Sequence, residues 1–335
     1  MVTRETRLRI LRLHADPAGG APYWIETFQR LGLTPEQVAD TPPAAGFMDA
    51  KALRLRPIED FIPRRLLDRG VRLITSETSG MTGKPIVTVF TEAEFKAGFV
   101  DGFVARAAQV CFPLRANWLW AGPSGPHAIG KAIREILHSV GGLDPFSVDF
   151  DPRWFRKLPE ESMARERYLA HVLAQIMDVL DTQRVDVLFS TPPVIRLLAE
   201  RLPPGRRDAI RGVHYGGMSI GPDEYAGLKA AFPKAVHLHG YGNSMFGMFT
   251  ESESGLGGIE YATSASDRVQ LDLLAGDEDA LRPCAIGELG RVMLSRFDES
   301  MMILNHLERD LATRTPDGIR DPHPPHPDVN RKTIY

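Results

Sequence analysis

Cysteine is nearly missing from this chain: 335 residues hold two, Cys111 and Cys284, far apart and without metal-ligand spacing. That argues against a disulfide-stapled secreted scaffold. Both thiols, set among apolar neighbours, are expected to be buried and inert. Long apolar runs are missing too, and nothing approaches the roughly eighteen residues of a membrane span. The opening "MVTRETRLRILRLHAD" carries arginines and acids but lacks the apolar core of a signal segment. Neither sign of charge dominates, with a formal net charge of -3, so no electrostatic argument brings in nucleic acid or an anionic membrane. The expectation is a reduced, soluble, cytoplasmic protein with neither as a partner.

What is present is ordinary globular composition, 43% hydrophobic and 25% charged, on a length suited to one large α/β domain or two modest ones. Residues 1–70 read as a helical and irregular lead-in, with a Gly stop at Gly32 and a capping box from Thr34 to Gln37. "TPPAAG" at 41–46 reads as a linker or surface turn. From Val71 strands and helices alternate: "VRLITS" and "IVTVF" as strands, a Thr91-to-Glu94 capping box, "NWLWAG" as a strand, then a helix from Ile129. The clearest helix runs from about Ser162 to Asp181, with Leu169, Val172, Leu173, Ile176, Met177 and Leu180 on one face. "VDVLFS", "GVHYGG" and "AVHLHGYG" are further strands, each but the last followed by a helix. This alternation predicts an α/β fold with a mainly parallel sheet covered by helices. Residues 313–335, rich in Pro and polar side chains, are expected to be an irregular tail.

One stretch stands apart. "TSETSGMTGKPIVTVF", residues 75–90, places hydroxyls, glycines and one lysine directly before a strand. Consecutive backbone N–H groups in such a turn make a nest for anions, to which Thr75, Ser76, Thr78, Ser79 and Thr82 add hydroxyls and Lys84 a point charge. The spacing is not a Walker loop, because Pro85 and a strand follow Lys84. On these residues alone a phosphate cradle and a structural turn stand level.

"TSGMTGKP" (78–85) resembles the phosphate-loop signature of the adenylate-forming acyl-CoA synthetase superfamily, with Met81 where that pattern has Thr. The flanks resemble the phenylacetate-CoA ligase branch: "PYWIETFQRLGLTPEQVAD", "YGGMSIGPDEYAGLKAAFP", "HGYGNSM" and "GELGRVMLSRFDESMMILNHLERDL", in family order over roughly residues 20–312. The resemblance implies an adenylation core over 71–312 with helix-flanked mixed β-sheets. It implies ATP and Mg²⁺ as cofactors and a small-molecule carboxylic acid as substrate. Thr78, Ser79, Gly80, Thr82, Gly83 and Lys84 would hold the β- and γ-phosphates. Gly216 and Gly217 would let backbone approach nucleotide and acyl group, and Tyr241, within a motif that includes Gly242 and Ser244, would stack on adenine. Asp310, acceptor-only when ionised, would take the ribose hydroxyls. Lys84 and His127 are the candidate catalytic groups, with Lys131 a further cation. His127, Trp120, Gly217 and Phe246 are expected to meet the acyl substrate, with Trp118 and Met248 as further candidates for an aromatic pocket.

The sequence departs from that pattern in three places. Met245 stands where the family has a metal-binding Glu, and a thioether suits Mg²⁺ poorly; no protein ligand for the metal is assigned, although Glu251 is a nearby acid. Leu307 replaces an Arg. No segment after Asp310 matches the family's mobile C-terminal domain, so the resemblance is to the truncated adenylating proteins of phenazine antibiotic biosynthesis. The reading is an enzyme of secondary metabolism that makes an aryl adenylate and passes it to a reductase or other acyl-accepting enzyme. Its rivals are a non-catalytic nucleotide- or acid-binding relative and a serine hydrolase. "GMSIG" (217–221) would supply the hydrolase nucleophile Ser219, with Asp298 and His306 downstream. His237, His239, His323 and His326 are taken as structural or solvated.

Overall fold

The computed structural model describes residues 2–40, 47–80, 83–255, 258–262, 267–277, 280–325 and 334. The turn at 41–46, Met81, Thr82 and His326 therefore lie outside the described residues. The lead-in is helical: α1 (Arg4–Ala15), α2 (Pro22–Leu31), α3 (Pro35–Asp40), α4 (Ala52–Leu55) and α5 (Arg64–Asp68). Local chemistry sets their ends. Gly32 closes α2 in the left-handed region at φ 62°. The capping box forms as expected, Thr34 N–H donating to Gln37 Oε1 at 2.8 Å and Gln37 N–H to Thr34 Oγ1 at 3.3 Å.

The strand–helix region then follows. It comprises β1 (Leu73–Glu77), β2 (Val87–Thr91), α6 (Glu92–Phe99), α7 (Asp101–Gln109), β3 (Trp118–Gly122), α8 (Ala128–Ser139) and β4 (Phe146–Asp149). Next come α9 (Pro152–Lys157), α10 (Met163–Thr182), β5 (Val187–Ser190), α11 (Pro192–Arg201), α12 (Pro204–Ala209), β6 (Gly212–Tyr215), α13 (Pro222–Ala231) and β7 (Val236–Asn243). The chain finishes in strands: β8 (Gly247–Gly255), β9 (Gly258–Ala262), β10 (Val269–Ala275), β11 (Arg282–Pro283), β12 (Leu289–Phe297), β13 (Met302–Arg314) and β14 (Gly318–His323). Among the described residues no helix is long and apolar enough to cross a membrane.

Contacts divide the chain into two compact units, neither of them continuous in sequence. The first holds residues Met1–Gly98, Ser244–Gly247 and Thr263–Gly318. Its strands are antiparallel: β1 pairs with β2 from Leu73↔Thr91 to Glu77↔Val87, and β10, β11, β12 and β13 pair in the order β11-β10-β12-β13. A buried ionic knot ties this unit together. Arg296 is fully buried, its guanidinium 3.9 Å from the centre of the Phe90 ring, with Nη1 donating to the Met245 carbonyl at 2.8 Å. Asp298 faces it at 2.7 Å from Nε and also accepts from Arg268 Nε at 2.7 Å. His14 bonds the Asp298 carbonyl through Nε2 at 2.8 Å, and burial pushes its pKa down to about 4.

The second unit holds Phe99–Asn243, Met248–Ala262 and Ile319–Tyr335. Five strands run parallel in the order β4-β3-β5-β6-β7, and β8, β9 and β14 extend the sheet beyond β7, with β8 and β9 antiparallel. Strand order reverses between β3 and β5. The chain steps from β3 outward to β4, then returns across to β5 and proceeds through β6 to β7. Right-handed crossovers therefore put α8 on one face of the sheet and α10, α11 and α13 on the other. α7 shares the face of α8, where its Phe103 meets Trp118 and His214.

Three expectations are corrected. The sheet is mixed rather than mainly parallel: β3–β7 pair parallel, whereas β8 with β9, and β10 with β11 and β12, and β12 with β13, pair antiparallel. The tail is not wholly irregular: β14 lies within it, and Ile334 is buried with its carbonyl accepting from Thr191 Oγ1 at 2.5 Å. Cys111 is exposed and Cys284 half-buried. Cys111 takes the left-handed position after α7 at φ 57°, while Phe112 behind it turns inward and donates its N–H to the Ala107 carbonyl at 2.8 Å. Phe112 takes the buried position and the thiol beside it stays outside.

Candidate functional site

In the first unit the glycine–hydroxyl stretch is the loop of the β1–β2 hairpin. Its mouth is clasped by Thr78, whose N–H donates to the Ile86 carbonyl at 3.0 Å while its Oγ1 accepts from Ile86 N–H at 2.9 Å. Inside the clasp, Gly80 and Gly83 take φ values of 71° and 137°, which residues with a Cβ rarely adopt. Gly83 N–H turns back to the Gly80 carbonyl at 3.4 Å. Ser79 is half-buried, Lys84 is exposed, and the Lys84 carbonyl accepts from Arg54 Nη1. Thr82 lies outside the described residues. Among the described residues of the loop, Gly83 and Lys84 are exposed, and positive-φ glycines beside a cation are the residue types of an anion nest.

Other candidates in this unit have different surroundings. Ser244 donates its hydroxyl to the Glu77 carbonyl at 2.9 Å, and its own carbonyl accepts from Thr88 Oγ1 at 2.8 Å, so it braces the base of the hairpin. Phe246 is buried against His306, ring centres 6.1 Å apart. Asp310 is half-buried on β13 with Arg309 Nε 3.6 Å from its carboxylate. The hydrolase constellation does not assemble: Asp298 gives both carboxylate oxygens to Arg268 and Arg296 and makes no bond to His306 among the described residues.

In the second unit the candidates gather at one edge of the parallel sheet. Trp120 is the central residue of β3, His127 is the residue preceding α8, and Gly216 and Gly217 follow β6. Tyr241 and Gly242 lie in the carboxyl-terminal half of β7. This is the edge, beside the reversal of strand order, where open α/β sheets bind ligands. His127 is buried, and the loop before it is pinned by Ser124, whose N–H and hydroxyl each donate to Asp149 at 2.8 Å. Gly216 N–H bonds the Ser190 carbonyl at 3.2 Å, and Gly217 is exposed at φ 80°. Tyr241 is half-buried, its ring stacked on Phe249 at 6.3 Å and tilted against Tyr261 at 5.8 Å.

Sequence reasoning missed the layer behind this edge. Trp120, Phe189 and His214 sit side by side in register on β3, β5 and β6. Their ring centres are 4.4 Å apart for Trp120–Phe189 and 4.2 Å for Phe189–His214. The signal was available: each lies on its strand two positions before Gly122, Thr191 and Gly216, and a strand returns to the same face every second residue. Burial pushes the His214 pKa down to about 4, against the Leu238 carbonyl 2.8 Å from Nδ1.

Glu251 is also resolved. It is buried, and its Oε2 accepts from Tyr225 Oη at 2.8 Å and His239 N–H at 2.9 Å. His239 Nδ1 is bonded by Tyr261 Oη at 2.5 Å, and burial takes its pKa down to about 3. This carboxylate is an internal acceptor, and Met245 is buried in the other unit. Among the described residues no group of three His, Cys, Asp or Glu side chains is placed to hold a metal. Glu251, the nearby acid, is thus committed to Tyr225 and the His239 amide, and a Mg²⁺ arriving with a nucleotide would rely on phosphate and water oxygens.

No family model matches the sequence, and no curated protein matches it. Solved structures do. A 2-hydroxyisobutyryl-CoA ligase captured with 2-HIB-AMP and CoA superposes over 96% of this chain and 67% of its own, at TM-score 0.62 and 15% identity. The same ligase in its postadenylation state gives 0.63 over 95% of this chain and 64% of its own, again at 15% identity. The fold is that of the adenylate-forming ligases. An ATP-bound RpMatB-BxBclM chimera agrees at TM-score 0.52 and 16% identity, over 74% of this chain and 46% of the chimera. The chain thus spans about two thirds of the ligase and about half of the chimera. At such identities the likeness is one of fold.

Proposed function

We propose that this protein activates an aromatic or heteroaromatic carboxylic acid as an acyl adenylate at the expense of ATP, in secondary (antibiotic) metabolism. The observation that carries the reading is the clasped hairpin loop: two left-handed glycines, Thr78, Ser79 and exposed Lys84 make an open anion nest in a chain with the ligase fold. In the reaction one carboxylate oxygen attacks the α-phosphorus. The bond from that phosphorus to the bridging oxygen breaks, and pyrophosphate leaves with the electron pair. The protein's part is positioning and charge neutralisation. Lys84 and the loop N–H groups would hold the leaving phosphates. His127, ahead of the α8 N-terminus, would orient the acid where the helix dipole favours negative charge. Tyr241 would offer its ring to adenine and Asp310 its oxygens to the ribose. The adenylate would pass to a reductase or other acyl-accepting enzyme.

The test is acid-dependent exchange of labelled pyrophosphate into ATP across a panel of aryl acids. Exchange with at least one acid is expected, and its absence across the panel refutes the reading. A second reading, a nucleotide-binding relative without catalysis, is favoured by buried Met245 in place of the family's carboxylate. Calorimetry that registers ATP binding in a protein with no exchange selects it.

A further inference from the structure

The lead-in delivers one cation to the clasped hairpin loop. α4 is a single helical turn anchored by buried Leu53, and half-buried Arg54 follows it. The turn is hung from α2: Asp49 N–H donates to the hydroxyl of buried Tyr23 at 3.1 Å, and Lys51 N–H to Asp49 Oδ1 at 2.8 Å. Arg54 N–H then closes on the Lys51 carbonyl at 3.0 Å. From this mounting the Arg54 side chain crosses to the loop, where Nη1 donates to the Lys84 carbonyl. A carbonyl, unlike a carboxylate, fixes a guanidinium in place without cancelling its charge.

Two further observations place that charge. A Cβ added at Gly83 would meet Arg54 Nη1 at 3.7 Å. Among the described residues beyond its chain neighbours, nothing else lies within 4 Å of that point. The exposed glycine, at φ 137°, is thus bordered by the guanidinium. The second observation is electrostatic. Burial pushes the His306 pKa down to about 4, and the positive charges of Arg54 and Arg291 push it the same way. The field of Arg54 therefore extends from the loop to β13, the strand that carries Asp310.

We infer that Arg54 is a second phosphate-binding cation, set beside Lys84 to neutralise the polyphosphate tail of a nucleotide. The inference rests on the adenylating reading for the choice of a nucleoside triphosphate, not for turnover. A triphosphate carries several negative charges, and Lys84 meets one of them. The loop N–H groups add only partial dipoles. A guanidinium stays charged at any working pH and presents a planar fork of donors that matches phosphate oxygens. Arg54 lies well outside the stretch 78–85, so the loop borrows this charge from a segment that sequence order alone does not connect to it.

The test is calorimetric binding of ATP, AMP and inorganic tripolyphosphate to wild-type protein, Arg54→Gln and Arg54→Lys, with urea unfolding to confirm that each variant is folded. Arg54→Gln should bind ATP and tripolyphosphate about ten-fold or more weakly, while AMP, which lacks the β- and γ-phosphates, changes by less than about two-fold. Arg54→Lys keeps the charge and should lie closer to wild type than to Arg54→Gln. An unchanged ATP-to-AMP ratio in Arg54→Gln overturns the inference, as does an equal weakening of both ligands, the mark of a merely structural role. It is also overturned if Arg54→Lys falls as far as Arg54→Gln, since the carbonyl bond and not the charge would then be the cause. Wild-type protein that binds neither ATP nor tripolyphosphate has the same effect. Failure of the adenylating reading looks different: Arg54-dependent binding of both ligands, without acid-dependent exchange, supports the inference and refutes adenylation. Should Arg54→Gln not fold, Arg54→Leu is read in its place against the same outcomes.

Discussion

Lowering the pH from 7.5 to 5 should weaken the fold through histidines that it holds neutral. His14 and His214 are fully buried, and burial pushes each pKa down to about 4. In the unfolded chain both return to about 6.5. Between those values the unfolded state binds more protons than the folded one, so stability falls as pH drops through 6.5 and levels off near 4. By pH 5 the loss is on the order of 2 kcal/mol per histidine, a sizeable share of a typical domain's stability. His239 and His306, lowered to about 3 and about 4, act in the same direction. Glu288, which Arg282 holds at about 2, belongs to a more acidic window and does not confuse the reading. The assay is urea unfolding at half-unit steps between pH 7.5 and 5, on wild-type protein and His214→Phe. The variant should lose one proton's worth of pH dependence whatever its absolute stability. Parallel pH profiles for the two proteins would mean that His214 is already charged or solvated in the fold, and the burial argument would fail.

Four further outcomes follow from the geometry. Lys84→Ala should lower kcat/KM for ATP about ten-fold or more in the exchange assay through lost phosphate contact, and unchanged kinetics would remove the loop from the site. Asp310→Ala should raise the ATP KM with less effect on kcat; no change would place the ribose elsewhere. Gly122→Ala must push the Trp120 indole out of its place, visible as a shifted tryptophan emission maximum, and an unaltered spectrum would contradict the close approach. Asp298→Ala leaves Arg296 buried beside Arg268 without its counter-charge, and urea unfolding should show about 3–5 kcal/mol lost.

Much of the local structure was legible because its causes are local. The Thr34–Gln37 and Thr91–Glu94 boxes form the bonds their spacing predicts, and Ser162 accepts from Arg165 N–H at 3.3 Å at the start of α10. The fold also followed from the order of motifs. What stayed hidden depends on partners distant in sequence. Nothing near Gly122 says why it must lack a side chain; the reason is the tilt of Trp120. Nothing near Glu251 announces that Tyr225 and the His239 amide consume its charge. Nor does the Pro-rich end reveal β14, whose pairing depends on β9, reinforced by Asp321 Oδ1 accepting from Ile259 N–H at 2.7 Å. The aromatic row was readable only once strand register aligned Trp120, Phe189 and His214.

The Thr78–Ile86 clasp has a consequence for how such a protein diversifies. A segment whose two ends are fastened by side chain and backbone together is insulated from the strands that carry it. Adding residues between Ser79 and Pro85 costs only about 0.6 kcal/mol in closure entropy for each doubling of length. Variants can therefore trade reach and charge at the tip while the scaffold below is inherited unchanged.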